Sequence, residues 1–167
     1  GSEIREARER VERAIINAGF EFPSRRITVN LSPASLKKTG SGLDLPIAIG
    51  ILTATECIKE EAVKDILFAG ELSLDGKINK IRGVLPMAML ARNLGLRGMV
   101  LPKGNEMEGA AVNGVRLHGA SDLRSLVEDL NKGRISDITH LDLEEALNMT
   151  KEASKDLLSV ARNLVRH

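Results

Sequence analysis

The segment Lys37-Lys38-Thr-Gly-Ser-Gly-Leu-Asp-Leu-Pro46 places glycines 40 and 42 just ahead of an apolar run. Backbone N–H groups at the start of a helix can hold an anion. The segment lacks the Gly-x-x-x-x-Gly-Lys-Ser/Thr spacing of a nucleotide loop, however, and Asp44 would repel a phosphate. No Gly-x-Gly-x-x-Gly follows a strand-like stretch, so nothing here predicts a nucleotide engine. His118, His140 and His167 stand alone, with no carboxylate or second His at ligand spacing on a helix, so no metal site is predicted. His118 reads as a surface residue at a strand end. Cys57, the single cysteine, lies in the apolar run Ile47–Ile58 and reads as a small buried hydrophobe. Glu60-Glu61 and Glu144-Glu145 read as solvated helix faces.

The basic residues are more telling. Between Phe22 and Leu43 there are four bases, Arg25, Arg26, Lys37 and Lys38, and no acid. Between Gly76 and Asn105 there are six, Lys77, Lys80, Arg82, Arg92, Arg97 and Lys103, again with no acid. Gathered on one face, such residues could track a phosphate backbone; dispersed, they only solubilise the fold. The contact candidates are Arg25, Arg26, Lys37 and Lys38 on a strand and loop, and Lys77, Lys80 and Arg82 on a hairpin. Only three Phe and no Trp or Tyr occur, which argues against a base-stacking platform.

These residues need elements to position them. Residues 3–18 carry Ile4, Val11, Ile15 and Ala18 on one face among alternating Arg and Glu, an amphipathic helix closed by Gly19. Arg26–Leu31 alternates with period two and predicts a strand, and Ser32–Gly42 a loop. From Asp44, the run LPIAIGILTATECI predicts a buried helix with Pro46 in its first turn. Ile66–Leu72 predicts a strand, Asp75-Gly76 a hairpin turn, and Lys77–Ile81 the returning strand. Val84–Leu94 is a helix, Gly98–Leu101 a strand, Asn105–Val112 a short helix and Val115–Leu117 a strand. Ser121 caps a helix reaching Asn131. This alternation implies some parallel pairing. With 43% apolar and 28% charged residues the chain can bury a real core. The composition shifts near Gly133. Gly1-Ser2 reads as a tag remnant, 3–133 as one α/β domain, and 134–167 as a linker and helical tail with six acids and four bases from residue 136. No run is long and apolar enough to span a bilayer, so the expected location is the cytoplasm.

GFEFPSRRITVNLSPASL (19–36), DLPIAIGIL (44–52), FAGELSLDGKINKIRGVLPMAMLAR (68–92) and VLPKGNEMEGAAV (100–112) closely resemble the magnesium-chelatase-like AAA+ proteins of the ComM/YifB type. The resemblance covers roughly residues 3–132. It implies an N-terminal domain similar to the proteolytic domain of Lon and the C-terminal domain of RadA, with a mixed sheet flanked by helices. It also implies a parent that forms a hexameric ring of its own subunits, binds ATP and Mg in a motor outside this chain, and processes DNA by branch migration in natural transformation. Two departures stand out. The family's first strands, which precede residue 3, are absent from the sequence, predicting an exposed sheet edge able to form an adventitious dimer. The tail after 133 follows the family only loosely.

The resemblance to Lon implies a Ser-Lys dyad, in which a lysine activates a serine nucleophile. The serine position, at the start of the helix after the glycines, is Leu43. The lysine position, on the helix after the Gly-Glu-x-x-Leu hairpin, is Leu85. Ser41 is two residues away, and no lysine occurs between Arg82 and Lys103. The expectation is a non-catalytic accessory domain with no cofactor or metal of its own. It would support ring assembly and contact DNA backbone. The alternatives are a protein-only oligomerisation or substrate-adaptor domain, and a degenerate peptidase.

Overall fold

The computed structural model describes residues 2–26, 42–135 and 155. The chain falls into two units, Gly1–Asp137 and Ile138–His167. Residues 27–31 of the expected strand, Lys37, Lys38, Ser41, His140, His167 and nearly all of the tail lie outside the described residues.

Helix α1 spans Ser2–Asn17. Ala7, Val11, Ala14 and Ile15 are buried along it, with Ala18 just past its end, spaced by three and four so that they form one stripe. Gly19 then takes φ +94, where a side chain would be strained, and Phe20 N–H donates back to the Ile15 carbonyl at 3.1 Å. Helix α2 spans Asp44–Ala54 and buries Leu45, Ala48, Ile49, Ile51 and Leu52. Pro46 sits in its first turn, where a missing N–H costs no helical bond. The helix stops short of Ile58, because Glu56 takes φ +65 and turns the chain.

Helix α3, Glu60–Val63, leaves Glu60 and Glu61 exposed, the solvated helix face expected of them, and Arg97 Nη1 donates to the carbonyls of Glu61 and Lys64. Strand β1 is Ile66–Phe68, and β2 is Glu71–Leu72. The single strand expected over 66–72 is broken at Gly70. Its N–H donates to the Gly42 carbonyl and its carbonyl accepts from Leu45 N–H, so the backbone here bonds to the start of α2. A Cβ on Gly70 would lie 3.0 Å from Ile78 and 3.3 Å from Leu45. Strand β3 is Ile78–Asn79, shorter than expected, α4 is Val84–Asn93 and β4 is Gly98–Pro102. A 3-10 turn, Lys103–Asn105, leads into α5, Glu106–Ala110.

Strand β5 is Leu117–Ala120, two residues later than expected. His118 is therefore inside the strand and buried, with Nε2 3.5 Å from Asp129 Oδ2, rather than at a surface end. Helix α6 spans Leu123–Asn131. Its cap is Asp122 and not Ser121: Asp122 Oδ1 accepts from Ser125 N–H at 2.8 Å and Oδ2 from Ser125 Oγ at 3.0 Å. The Ser121 carbonyl is occupied elsewhere, accepting from Ile78 N–H.

The parallel sheet has the order β1-β4-β5, with Leu67 opposite Met99 and Met99 opposite Leu117. Alternation sends Phe68, Val100 and Ala120 toward the core beneath α1, α2 and α6, where Ile15, Leu45, Leu52, Leu123 and Leu126 pack. Leu101 and Leu117 lie on the opposite face, against α5. Gly109 is what lets that helix approach, since a Cβ there would stand 2.8 Å from Leu117 and 3.0 Å from Leu101. Each fully buried leucine contributes about 1.5–3 kcal/mol by leaving water. The fold is thus α/β, with a parallel sheet flanked by helices and a separate antiparallel hairpin, β2–β3.

Candidate nucleic-acid interface

The hairpin carries three of the predicted contact residues, and its turn chemistry explains its shape. Asp75 Oδ1 accepts from Lys77 N–H at 3.1 Å, and Gly76 takes φ +91. Gly76 N–H donates to the Ser73 carbonyl and Ser73 N–H to the Lys77 carbonyl, both at 2.9 Å. Asn79 Nδ2 donates to Ser73 Oγ across the strands.

Five further attachments fix this hairpin and its exit to the body. Asp44 Oδ2 accepts from Leu72 N–H at 3.0 Å, and Asn17 Nδ2 donates to the Leu74 carbonyl. The Gly76 carbonyl accepts from Leu123 N–H, while Ile78 N–H donates to Ser121, so the hairpin runs past the carboxyl end of β5. At its exit Asn105, fully buried, accepts from Ile81 N–H at 3.0 Å and donates to the Ile81 carbonyl at 2.9 Å. Both hydrogen-bonding groups of one backbone residue are therefore held by one amide side chain. Exposed charges on this hairpin sit on a rigid base.

Lys77, Lys80 and Arg82 are exposed. Lys80 lays its stem along Gly104, its carbons 3.6–3.7 Å from where a Cβ on Gly104 would be. That contact brings the exposed Lys103, a base not singled out among the candidates, next to the hairpin cluster. The sequence could show no such neighbour, because the contact depends on how β4 ends against the hairpin. The fold also brings acids to a stretch that has none in sequence. Asp75 Oδ2 lies 3.8 Å from Lys77 Nζ, and Lys77 bridges to Asp122 through the backbone. Glu106 folds its carboxylate over Gly119, and Glu108 accepts from Asn105 Nδ2 at 3.4 Å.

Arg25 is not part of this cluster. Its Nη2 donates to the Ala54 carbonyl at 3.2 Å, at the carboxyl end of α2. The hairpin meets the amino end of that helix, about 15 Å away along the axis at 1.5 Å per residue. Arg26 is exposed beside Arg25, while Lys37 and Lys38 lie outside the described residues. The two predicted basic groups thus do not converge through Arg25.

The amino end of α2 is closed to an anion. Asp44, 1% exposed, receives Arg10 Nε and Nη2 at 3.0 Å each in addition to the Leu72 N–H. That hydrogen bond holds the Arg10 guanidinium above its ordinary pKa, against an opposing push from partial burial. Leu43 is the half-buried residue just before α2, and Leu85 lies on α4, 43% exposed. Gly42 packs against Ile81 and Met87, each 3.2 Å from its Cβ position, so the start of α2 abuts α4. Cys57 is half-buried rather than buried, since α2 ends before reaching it. It lines a groove of about 490 Å³ with Phe20 and Val127 among others. Among the described residues no group of three or more His, Cys, Asp or Glu could hold a metal ion, and no helix is long and apolar enough to cross a membrane.

The competence protein ComM of Haemophilus influenzae is 37% identical over 158 residues, covering 94% of this chain and 31% of that protein. The uncharacterised protein YifB of Escherichia coli is 41% identical over 111 residues, 66% of this chain and 22% of YifB. A Lon protease of Metamycoplasma arthritidis is 25% identical over 87 residues, 52% of this chain and 10% of the protease. The chain spans about a third or less of the length of these relatives. The family profile described as subunit ChlI of Mg-chelatase matches residues 1–105, and the chain belongs to this Mg-chelatase-like family.

Proposed function

We propose that this chain is a non-peptidase accessory domain of a Mg-chelatase-like AAA+ ATPase that processes DNA in the cytoplasm. Its parent would use ATP and Mg in a motor outside these residues and assemble as a hexameric ring. The name of the competence protein ComM supports a role in competence, and the family resemblance adds branch migration of DNA. The observation that carries the reading is the anchored hairpin and its exit, where exposed Lys80 and Arg82 follow a backbone fixed by Asp44, Ser121 and Asn105. Rigid cations of this kind neutralise phosphates without reading bases. Leucine at 43 and 85 can neither attack a carbonyl nor accept a proton, which supports the absence of peptidase chemistry.

A salt series tests this reading. Binding of labelled single- and double-stranded DNA to the chain should weaken steeply as salt rises. No binding at low salt would overturn the DNA-contacting role. A protein-only reading draws on a different observation: Leu85 and Met89, one turn apart on α4, are 43% and 42% exposed. It predicts self-association by analytical ultracentrifugation without DNA binding, abolished by Leu85→Asp with Met89→Asp.

A further inference from the structure

We infer that the backbone phosphates of DNA are held by Lys80 and Lys103 acting together, while Lys77 is withheld from them by Asp75. The inference rests on the DNA-contacting reading above and gives it a specific site. Lys103 directly follows β4, and the stem of Lys80 lies along Lys103's neighbour Gly104 at 3.6–3.7 Å from the Cβ position. Two cations distant in sequence therefore start from adjoining main-chain positions at the carboxyl end of a parallel strand. That end of an open α/β sheet is where ligands commonly dock. Their backbones cannot drift apart, because buried Asn105 binds both polar groups of Ile81. Each of the two nearest acids in sequence has a partner. Glu106 lies over Gly119, and Glu108 accepts from Asn105. Arg82 is exposed two residues beyond Lys80.

Lys77 differs. Its ammonium lies 3.8 Å from the Asp75 carboxylate within one tight turn, both groups being largely exposed, so the tip of the hairpin presents a compensated pair. Arg25 is tied to the end of α2 and lies away from the strip. The ligand class is a phosphodiester backbone recognised by charge.

The test is fluorescence anisotropy of labelled single- and double-stranded oligonucleotides with the 167-residue chain, as a function of salt. Lys80→Gln and Lys103→Gln should each lower affinity several-fold at low salt and flatten the log K against log salt slope by about one. Lys77→Gln should have a smaller effect and Arg25→Gln none. Asp75→Asn keeps the oxygen that accepts from Lys77 N–H but removes the charge, and should strengthen binding. Thermal melts run alongside should be unchanged, since these side chains are exposed. Unaltered binding in Lys80→Gln and Lys103→Gln, with loss in Lys77→Gln or Arg25→Gln, overturns the strip and leaves the DNA-contacting role standing. Failure of the unsubstituted chain to bind DNA at low salt overturns that role and the strip with it, whether or not polyglutamate binds.

Discussion

Arg10 on α1 grips both carboxylate oxygens of Asp44 at the start of α2, at 3.0 Å each, and the same carboxylate accepts Leu72 N–H from the hairpin. One buried charge thereby joins three elements and fills a helix amino end that an anion could otherwise use. Arg10 is 36% exposed at its side chain and Asp44 only 2%, so the two are not equivalent. Asp44→Ala leaves Leu72 N–H and the guanidinium without partners and should cost about 2–4 kcal/mol. Arg10→Ala should cost about 1–2 kcal/mol, because water can reach the pair from the Arg10 side. Chemical denaturation of both variants and the double variant measures the coupling; additive losses would contradict a shared interaction.

The same pair has a defined pH response. The Arg10 guanidinium is held above its ordinary value, chiefly by the Asp44 hydrogen bond. A cation whose pKa is raised by folding contributes stability that is complete below the unfolded value and lost only as pH climbs through the higher folded one. Both lie far above neutrality, so the Arg10→Ala loss should be constant in melts from about pH 7 to pH 10. A loss that shrinks across that interval would contradict it.

Asn105 is 0% exposed and spends its amide on Ile81. Asn105→Leu strands a backbone N–H and a carbonyl, and should destabilise by about 1–3 kcal/mol. Hydrogen exchange gives the local readout: protection of the Ile81 amide should fall more than that of β4. Uniform loss across the domain would mean that the clasp does not act on the hairpin exit in particular.

Gly119 and Glu106 compete for one volume, since the Glu106 carboxylate lies where a Cβ on residue 119 would stand. Gly119→Ala should therefore cost about 1 kcal/mol, since the flexible end of the glutamate can swing aside. Glu106→Ala should be milder alone and should restore most of the loss when combined with Gly119→Ala. Thermal melts of the four proteins close the cycle, and an additive double variant would contradict direct contact.

Asp122 caps α6 through Ser125. Asp122→Ala should cost about 1 kcal/mol and Ser121→Ala much less, because Ser121 contributes only its backbone carbonyl to the hairpin. The reverse order in melting temperature would return the cap to Ser121.

Much of the fold was legible in local chemistry. The stripe through Val11 and Ile15, the all-round apolarity after Asp44, and Asp75-Gly76 each prescribe an element by spacing or turn preference, and each element formed. The misplaced details share one cause. Gly70 breaks a strand because its backbone bonds to α2, the strand carrying His118 starts later because β4 sets its register, and Ser121 yields the cap because its carbonyl bonds to Ile78. These choices are made by partners distant in the chain, which a local pattern does not contain.

The candidate interface divides the same way. The sequence by itself determined which residues are cationic, that leucines stand at 43 and 85, and that the chain belongs with Mg-chelatase-like proteins. Only the tertiary structure decided which cations are neighbours. It laid Lys80 along Gly104 beside Lys103, set Asp75 against Lys77 and tied Arg25 to the far end of α2. Charge is a property of each residue, but the field at a surface depends on distances between residues, and packing sets those distances.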